Sequence, residues 1–215
     1  LHVPTIKPLD VDTLRAEAAK TGRLVVTIEN HTIQGGLGEA VAAALSDAGV
    51  SADRIDGAFF SNAVQGHMEG QHMIRGEIAL REMGIQGIPV VNVENACASA
   101  STGFKLAVDF LKAGNGDCCL AIGAEKMYSD DRALMFSAFD SGWDVSNGDE
   151  VAQRLAALGT GVEEPEGSKS PQPYSVFMDV YAAFCRLHMR HFGTTQAQIA
   201  AVSAKNHTHS VKNEK

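Results

Sequence analysis

Short apolar runs separated by Ala- and Gly-rich stretches of helical length constrain this chain more than any other feature. Leu24 to Ile28 is a β-branched run that reads as a buried parallel strand. Gly57 to Ser61, Ile88 to Val93 and Cys118 to Ile122 read as further strands. Between them, a Gly35 to Gly38 turn opens an Ala-rich helix that runs to about Ala48 and is stopped by Gly49. Met73 to Met83 and Cys97 to Ala113 predict two more helices. Strand, helix, strand at these lengths is the βαβ unit, so the fold class is α/β.

The remaining stretches are less regular. Asp10 is placed to cap a helix through about Thr21, with Gly22 able to end it. Ser51 to Ile55 reads as a helical turn or loop, and Gln65 to His72 as a polar loop. Asp140 to Ser170 is loop-rich, and its acidic residues Glu163, Glu164 and Glu166 read as a solvated loop. Tyr174 to Phe192 has helical spacing, and Thr194 or Thr195 caps a last helix through roughly His207.

Composition narrows the class. The 215 residues, 45% hydrophobic, suffice for one or two domains with a real core. Acidic residues outnumber basic ones 26 to 18, and the net charge of −8 argues against a nucleic-acid groove. Apolar stretches such as Val41-Ala42-Ala43-Ala44-Leu45 fall far short of the roughly 20 residues that span a bilayer. No basic start followed by an apolar stretch appears, so a secretory leader is not expected, and Cys97, Cys118, Cys119 and Cys185 are too few and too scattered for a disulfide framework. A reducing, cytoplasmic location is expected. The first residue is Leu1 rather than Met, which reads as an incomplete start or an unusual start codon.

The strongest chemical signal is Val91-Asn92-Val93-Glu94-Asn95-Ala96-Cys97-Ala98-Ser99-Ala100-Ser101. A strand ends, a tight turn follows, and Cys97 falls at the first turn of a helix. Unpaired backbone N–H groups and the positive end of the helix dipole there favour a thiolate and a developing oxyanion. Small neighbours leave room for a carbonyl to approach. The residues alone leave two readings open, a nucleophile or a buried, inert core cysteine.

Val93 to Ser101, with Gly103 beyond, resembles the nucleophile segment of the thiolase family. Phe59-Phe60-Ser61-Asn62-Ala63, Ala121-Ile122-Gly123-Ala124-Glu125-Lys126-Met127 and the Lys205-Asn206-His207 region are similar to that family as well, in the flavour of its lipid-transfer, sterol-carrier-associated branch. The likeness runs from about residue 39 to 211. It implies a layered thiolase-like half, with βαβ units and a mixed sheet flanked by helices. It also implies an acyl-CoA acyltransferase of fatty acid or lipid metabolism, in which Cys97 accepts the acyl group as a thioester. Acyl-CoA is then the substrate and partner, and no cofactor or metal is expected.

A thiolase has two similar halves, and this chain resembles only the first. The family's base histidine, second cysteine and oxyanion-hole glycine belong to the other half, and no motif here matches them. The expectation is therefore an N-terminal half, incomplete relative to the full fold, that acylates Cys97 and releases the acyl group slowly. It would act as a homodimer or with a complementing half. The alternative is a non-catalytic fragment or chimeric protein that acts only through self-association or a partner half.

Pro4-Thr5-Ile6-Lys7-Pro8-Leu9-Asp10 and Val25 to Gly38 resemble part of the C-terminal domain of transketolases, over about residues 4–45. This divides the chain into a transketolase-like segment, 1–45, and a thiolase-half domain, 46–215. The segment carries no thiamine diphosphate or magnesium motif. Its strand at Leu24 to Ile28 is expected to take the first thiolase strand position, in the sheet that holds Val90 to Val93.

Other residues carry weaker signals. Cys118 and Cys119 are neighbours in a strand and point to opposite faces, which excludes a two-thiol site. His188 and His191, three apart on a helix, read as a metal pair or as ordinary surface histidines, and His207 and His209 as solvent-exposed. Gly35, Gly36 and Gly38 do not complete a dinucleotide fingerprint and read as turn and packing glycines. Met68, Met73, Met127, Met135 and Met178 read as adaptable core filler or as the lining of an acyl tunnel.

Overall fold

The computed structural model describes residues 24–30, as backbone only, 37–168 and 175–212. The helix expected from Asp10 and the turn glycines Gly35 and Gly36 lie outside the described residues. The chain forms two compact units, one ending at Ala138 and one beginning at Phe139.

The first unit is built on four strands, β1 (Leu24–Asn30), β2 (Gly57–Ser61), β3 (Val90–Val93) and β4 (Cys118–Ala124). They form one sheet in the order β1-β4-β2-β3. β1 pairs with β4 from Leu24 opposite Cys118 to Asn30 opposite Ala124. It therefore lies in the sheet that holds β3, at the opposite edge. The α/β class and the βαβ units are as expected. The sheet differs in one respect: every pairing among the described strands is parallel, where a mixed sheet was expected. The reason is that each connection is a helical crossover rather than a hairpin.

Those crossovers are α1 (Leu37–Ala48), the pair α2 (Gln65–Glu69) and α3 (Arg75–Glu82), and α4 (Ser99–Lys112). The first two connections step one way along the sheet and the third steps back. Right-handed crossovers then place α1 and α3 on one face and α4 on the other. The cores follow that division. Val41, Leu45, Leu80 and Ile85 pack with Ala58, Phe60, Cys118, Leu120 and Ile122. Ala107 and Leu111 of α4 pack with Phe59, Val93, Cys119 and Ala121 on the other side. Alternation along β4 thus sends Cys118 and Cys119 into different cores, as the sequence requires.

Several boundaries shift for identifiable reasons. Gly49 ends α1 with φ +66°, as expected of a left-handed cap. β3 begins at Val90 rather than Ile88 because Pro89 has no N–H to offer; its carbonyl instead accepts from the Ala58 N–H at 3.0 Å. Gln65 to Glu69, expected as loop, is a helical turn. A short helix, α5 (Arg132–Ser137), follows β4, and the Asp131 carboxylate caps it by accepting from the N–H groups of Ala133 and Leu134.

In the second unit, α6 (Gly148–Ala157) lies inside the segment expected as loop. Asp149 and Glu150 in its first turn and Arg154 in its last complement the helix dipole, and this outweighs the low propensity of Gly148. α7 (Val176–Phe192) buries Val180 and Ala183, and Phe177 at its start stacks on Trp143 with ring centres 4.9 Å apart. Arg186 reaches Glu164 at 3.4 Å, so that acidic residue is an anchor and not solvated loop alone. α8 (Gln196–Ser210) opens with a capping box. Gln198 N–H donates to the Thr195 hydroxyl, and Thr195 N–H donates to the Gln198 side chain.

Gly103 sets the distance between α4 and the sheet. A Cβ there would lie 2.2 Å from the Ser61 Oγ and 3.6 Å from the Ser61 Cβ. Gly103→Ala should therefore cost about 1–3 kcal/mol, read as a lower urea midpoint, and Ser61→Ala in the same chain should restore most of the loss. An additive double variant would contradict this packing. Asp56 supplies a pH-dependent clamp at the start of β4: its carboxylate accepts from the N–H groups of Asp117 at 2.7 Å and Cys118 at 3.0 Å. Those bonds, Cys118's foremost, hold its pKa below the ordinary carboxylate value. A depressed folded pKa adds stability that is present above about pH 3.9 and is lost as the pH falls through the folded value. Asp56→Asn should lower the urea midpoint at neutral pH and flatten the acid side of the stability profile, and an unchanged profile would refute the clamp.

Candidate functional site

The candidate site is the turn that joins β3 to α4. Val93 is buried, and the chain then leaves the sheet through Glu94 and Asn95. Ala96 takes φ +46°, a left-handed conformation uncommon for any residue with a side chain. Ala96 to Ala98 form a 3-10 turn that runs directly into Ser99 of α4. Cys97 sits in that turn, exposed to solvent between two alanines. The expectation of a first α-helical turn is thus corrected: Cys97 precedes Ser99 by two residues, in a tighter turn that leads to the donor-rich end of the helix.

Local hydrogen bonds fix this geometry. The Ala96 N–H donates to the Glu94 carboxylate at 2.6 Å, and the Ala98 N–H to the Asn95 carbonyl at 2.9 Å. Ser99, itself buried, accepts from the Asn95 N–H at 2.8 Å and donates to the Ala96 carbonyl at 2.7 Å. The Asn95 side-chain amide donates to the Thr102 hydroxyl at 2.9 Å. Flanking groups therefore hold the strained residue from both sides, the condition under which such backbone conformations persist.

Beside the turn, the ends of β2 and β4 are joined by Glu125. Its carboxylate accepts from the backbone N–H groups of Ala63 at 2.8 Å, Val64 at 3.1 Å and Gln65 at 3.0 Å. It also accepts from the Asn62 side-chain amide at 3.0 Å. That amide donates to the Ala124 carbonyl at 2.6 Å as well, and the Asn62 backbone N–H donates to the Val93 carbonyl at 3.1 Å. Asn62 thus touches the ends of β3 and β4 from the end of β2. Its Oδ1 is buried with no hydrogen-bond partner among the described residues. Sequence reasoning assigned no role to Asn62 or Glu125. The available signal was a polar residue directly after each of two buried apolar strands.

The other candidates separate. Cys118 and Cys119 are buried, and burial foremost raises both thiols, Cys119 to about 11, so both stay protonated. Cys185 is half-buried on α7. His188, His191, His207 and His209 are exposed, and the Lys205-Asn206-His207 stretch lies on α8. Among the described residues there is no group of three or more His, Cys, Asp or Glu that could hold a metal ion. Met73, Met127 and Met178 are 76%, 39% and 54% exposed, so these three are neither core filler nor the lining of an enclosed tunnel.

Comparison with known proteins places this geometry. The sequence model of the family described as Thiolase, N-terminal domain, matches residues 13–215. The chain is 29% identical to sterol carrier protein 2 of Bos taurus over 186 residues, which are 86% of this chain and 31% of that protein. It is 28% identical to an acetyl-CoA acetyltransferase of Methanothermobacter thermautotrophicus over 207 residues, 95% of this chain and 46% of that protein. A separate likeness, 73% identity over 45 residues, is to an uncharacterized transketolase family protein of Sinorhizobium fredii and covers 21% of this chain and 13% of that one. The chain spans less than half the length of each of these relatives. With a match over nearly its whole length, this chain belongs to the thiolase family, through the N-terminal domain of that family.

Proposed function

We propose that this chain presents Cys97 as the acyl acceptor of a thiolase-like acyltransferase that takes its acyl group from an acyl-CoA. The observation that carries the reading is the turn itself: an exposed thiol, flanked by alanines, directly after a residue held in a strained backbone conformation. In the proposed step the Cys97 thiolate attacks the thioester carbonyl. The bond from that carbon to Cys97 Sγ forms, the bond to the coenzyme A sulfur breaks, and coenzyme A leaves as a thiolate that takes up a proton from water. In this reading the N–H groups at the start of α4 would stabilise the oxygen on which charge develops. Among the described residues, the histidine hydrogen bonds go to Ser137, Thr194 and Ser203 and none to Cys97. Acylation is thus the step assigned to this chain, and release of the acyl group is slow.

We further propose that residues 1–45 form a transketolase-like segment whose strand serves as the first strand of a thiolase half spanning 46–215. The 45-residue likeness and the parallel pairing of β1 with β4 support this division. A cytoplasmic location accords with four free cysteines. No helix among the described residues is long and apolar enough to cross a membrane.

A second reading, in which the chain acts only through self-association or a partner half, is favoured by its edge strand. β3 pairs with β2 alone among the described strands, and its Val91 is 43% exposed, as is Phe104 on α4. An unpaired apolar edge is a template for a second copy.

Two experiments separate the readings. Intact mass spectrometry after incubation with a medium-chain acyl-CoA should show one acyl adduct on the wild type and on Cys185→Ser, and none on Cys97→Ala. A folded wild-type sample without an adduct would refute the acyl-acceptor role. Light scattering after size exclusion should report a dimer that Val91→Lys shifts towards monomer; a wild-type monomer would refute self-association through β3.

A further inference from the structure

We propose that the cavity between α1, α3 and the ends of β2 and β4 binds a small carboxylate with a short apolar tail. The cavity has a volume of about 310 Å³, at the small end of the ~300–1,000 Å³ typical of ligand sites. It opens at the carboxyl ends of parallel strands, where ligands of open α/β sheets bind. It also lies apart from the Cys97 turn. Phe60 in its wall faces the core of α1 and α3, whereas Cys97 leads into α4 on the other side of the sheet.

Its chemistry is divided. Leu37, Phe60 and Ile78 supply an apolar wall, and Arg75, Lys126 and Gln71 supply donors. Arg75 opens α3, and its guanidinium lies against the α2 backbone; a Cβ on Gly66 would be 3.1 Å from one of its terminal nitrogens. Its Nε is buried with no hydrogen-bond partner among the described residues. Among the described residues the ion pairs involve neither Arg75 nor Lys126. A ligand carboxylate would instead be met by the terminal nitrogens of that guanidinium and by the exposed Lys126 ammonium, cations without a carboxylate partner among the described residues.

The two carboxylates that border the cavity do not fill that role. Glu125 is taken up by the N–H groups of Ala63, Val64 and Gln65, and Glu69 accepts from the Gln65 side chain at 2.8 Å. The unmet demand is for an anion, and the planar fork of Arg75 matches a carboxylate. The apolar wall calls for a few methylenes behind it.

Titration of the full 215-residue chain with hexanoate, followed by amide NMR shifts, tests the proposal. Hexanoate is unactivated and cannot acylate Cys97, so Cys97→Ala should bind it as the wild type does, and the result stands whether or not the acyl-acceptor role holds. Saturable shifts confined to residues around Phe60, Ile78 and Lys126 are expected. Acetate, without the tail, should bind about ten-fold more weakly, as should Arg75→Gln with hexanoate. Lys126→Gln, a change on the exposed rim that leaves the fold intact, should weaken binding in the same direction. Three outcomes would overturn the proposal: no saturable shift at tens of millimolar, hexylamine binding as well as hexanoate, or Lys126→Gln binding unchanged beside a folded but unaffected Arg75→Gln.

Discussion

The Glu125 carboxylate is the interaction on which the upper end of the sheet depends. The chain leaves β2 with consecutive backbone donors at Ala63, Val64 and Gln65 that no strand or preceding turn accepts, and all are drawn to this one side chain at the end of β4. Without it they would be orphaned beside the core. Fixing this loop also fixes Asn62, which ties the end of β2 to those of β3 and β4. Ser61, one residue earlier, is the surface against which Gly103 brings α4 close. The position of α4 in turn sets where Cys97 emerges. A carboxylate sixty residues beyond Gln65 in sequence therefore takes part in placing a thiol it does not touch.

This dependence explains which parts of the structure were legible in the sequence. β1, β2, β4, α1 and α7 could be read because their signals are local: short apolar runs, an Ala-rich stretch ended by Gly49, and a helical period from Tyr174 to Phe192. The Thr195 cap could be read for the same reason, since its partner Gln198 is three residues away. The helical turn at Gln65 could not. Its cap is Glu125, and no local pattern announces a carboxylate that arrives from the end of another strand. α6 was hidden differently, by Gly148 at its first position, although Asp149, Glu150 and Arg154 carried the opposing signal.

The candidate site was legible in part and for a mixed reason. Strand, turn, small residues and cysteine gave the location of Cys97, and its exposure overturns the alternative of a buried core cysteine. The left-handed Ala96 gave no warning, because alanine is not a residue that asks for that conformation. Its cause lies in the flanking groups, the Glu94 carboxylate and the Ser99 hydroxyl, whose combined effect is tertiary even though each is close in sequence.

The strain at Ala96 and the small-residue face of α4 belong to one arrangement. A left-handed alanine costs roughly 1–2 kcal/mol, and it survives only where the chain on both sides is held. On one side β3 is paired to β2 and anchored by buried Val93. On the other, α4 turns Ser99, Gly103, Ala107 and Leu111 towards the sheet, four residues apart and small until the last. That stripe lets the helix axis approach so closely that a side chain at Gly103 would collide with Ser61. A helix pinned this tightly cannot slide to relieve the turn, so the strain stays at Ala96 and the thiol of the next residue is held outward at no further entropic cost. The geometry of Cys97 is then a consequence of packing beneath it rather than of any contact it makes itself.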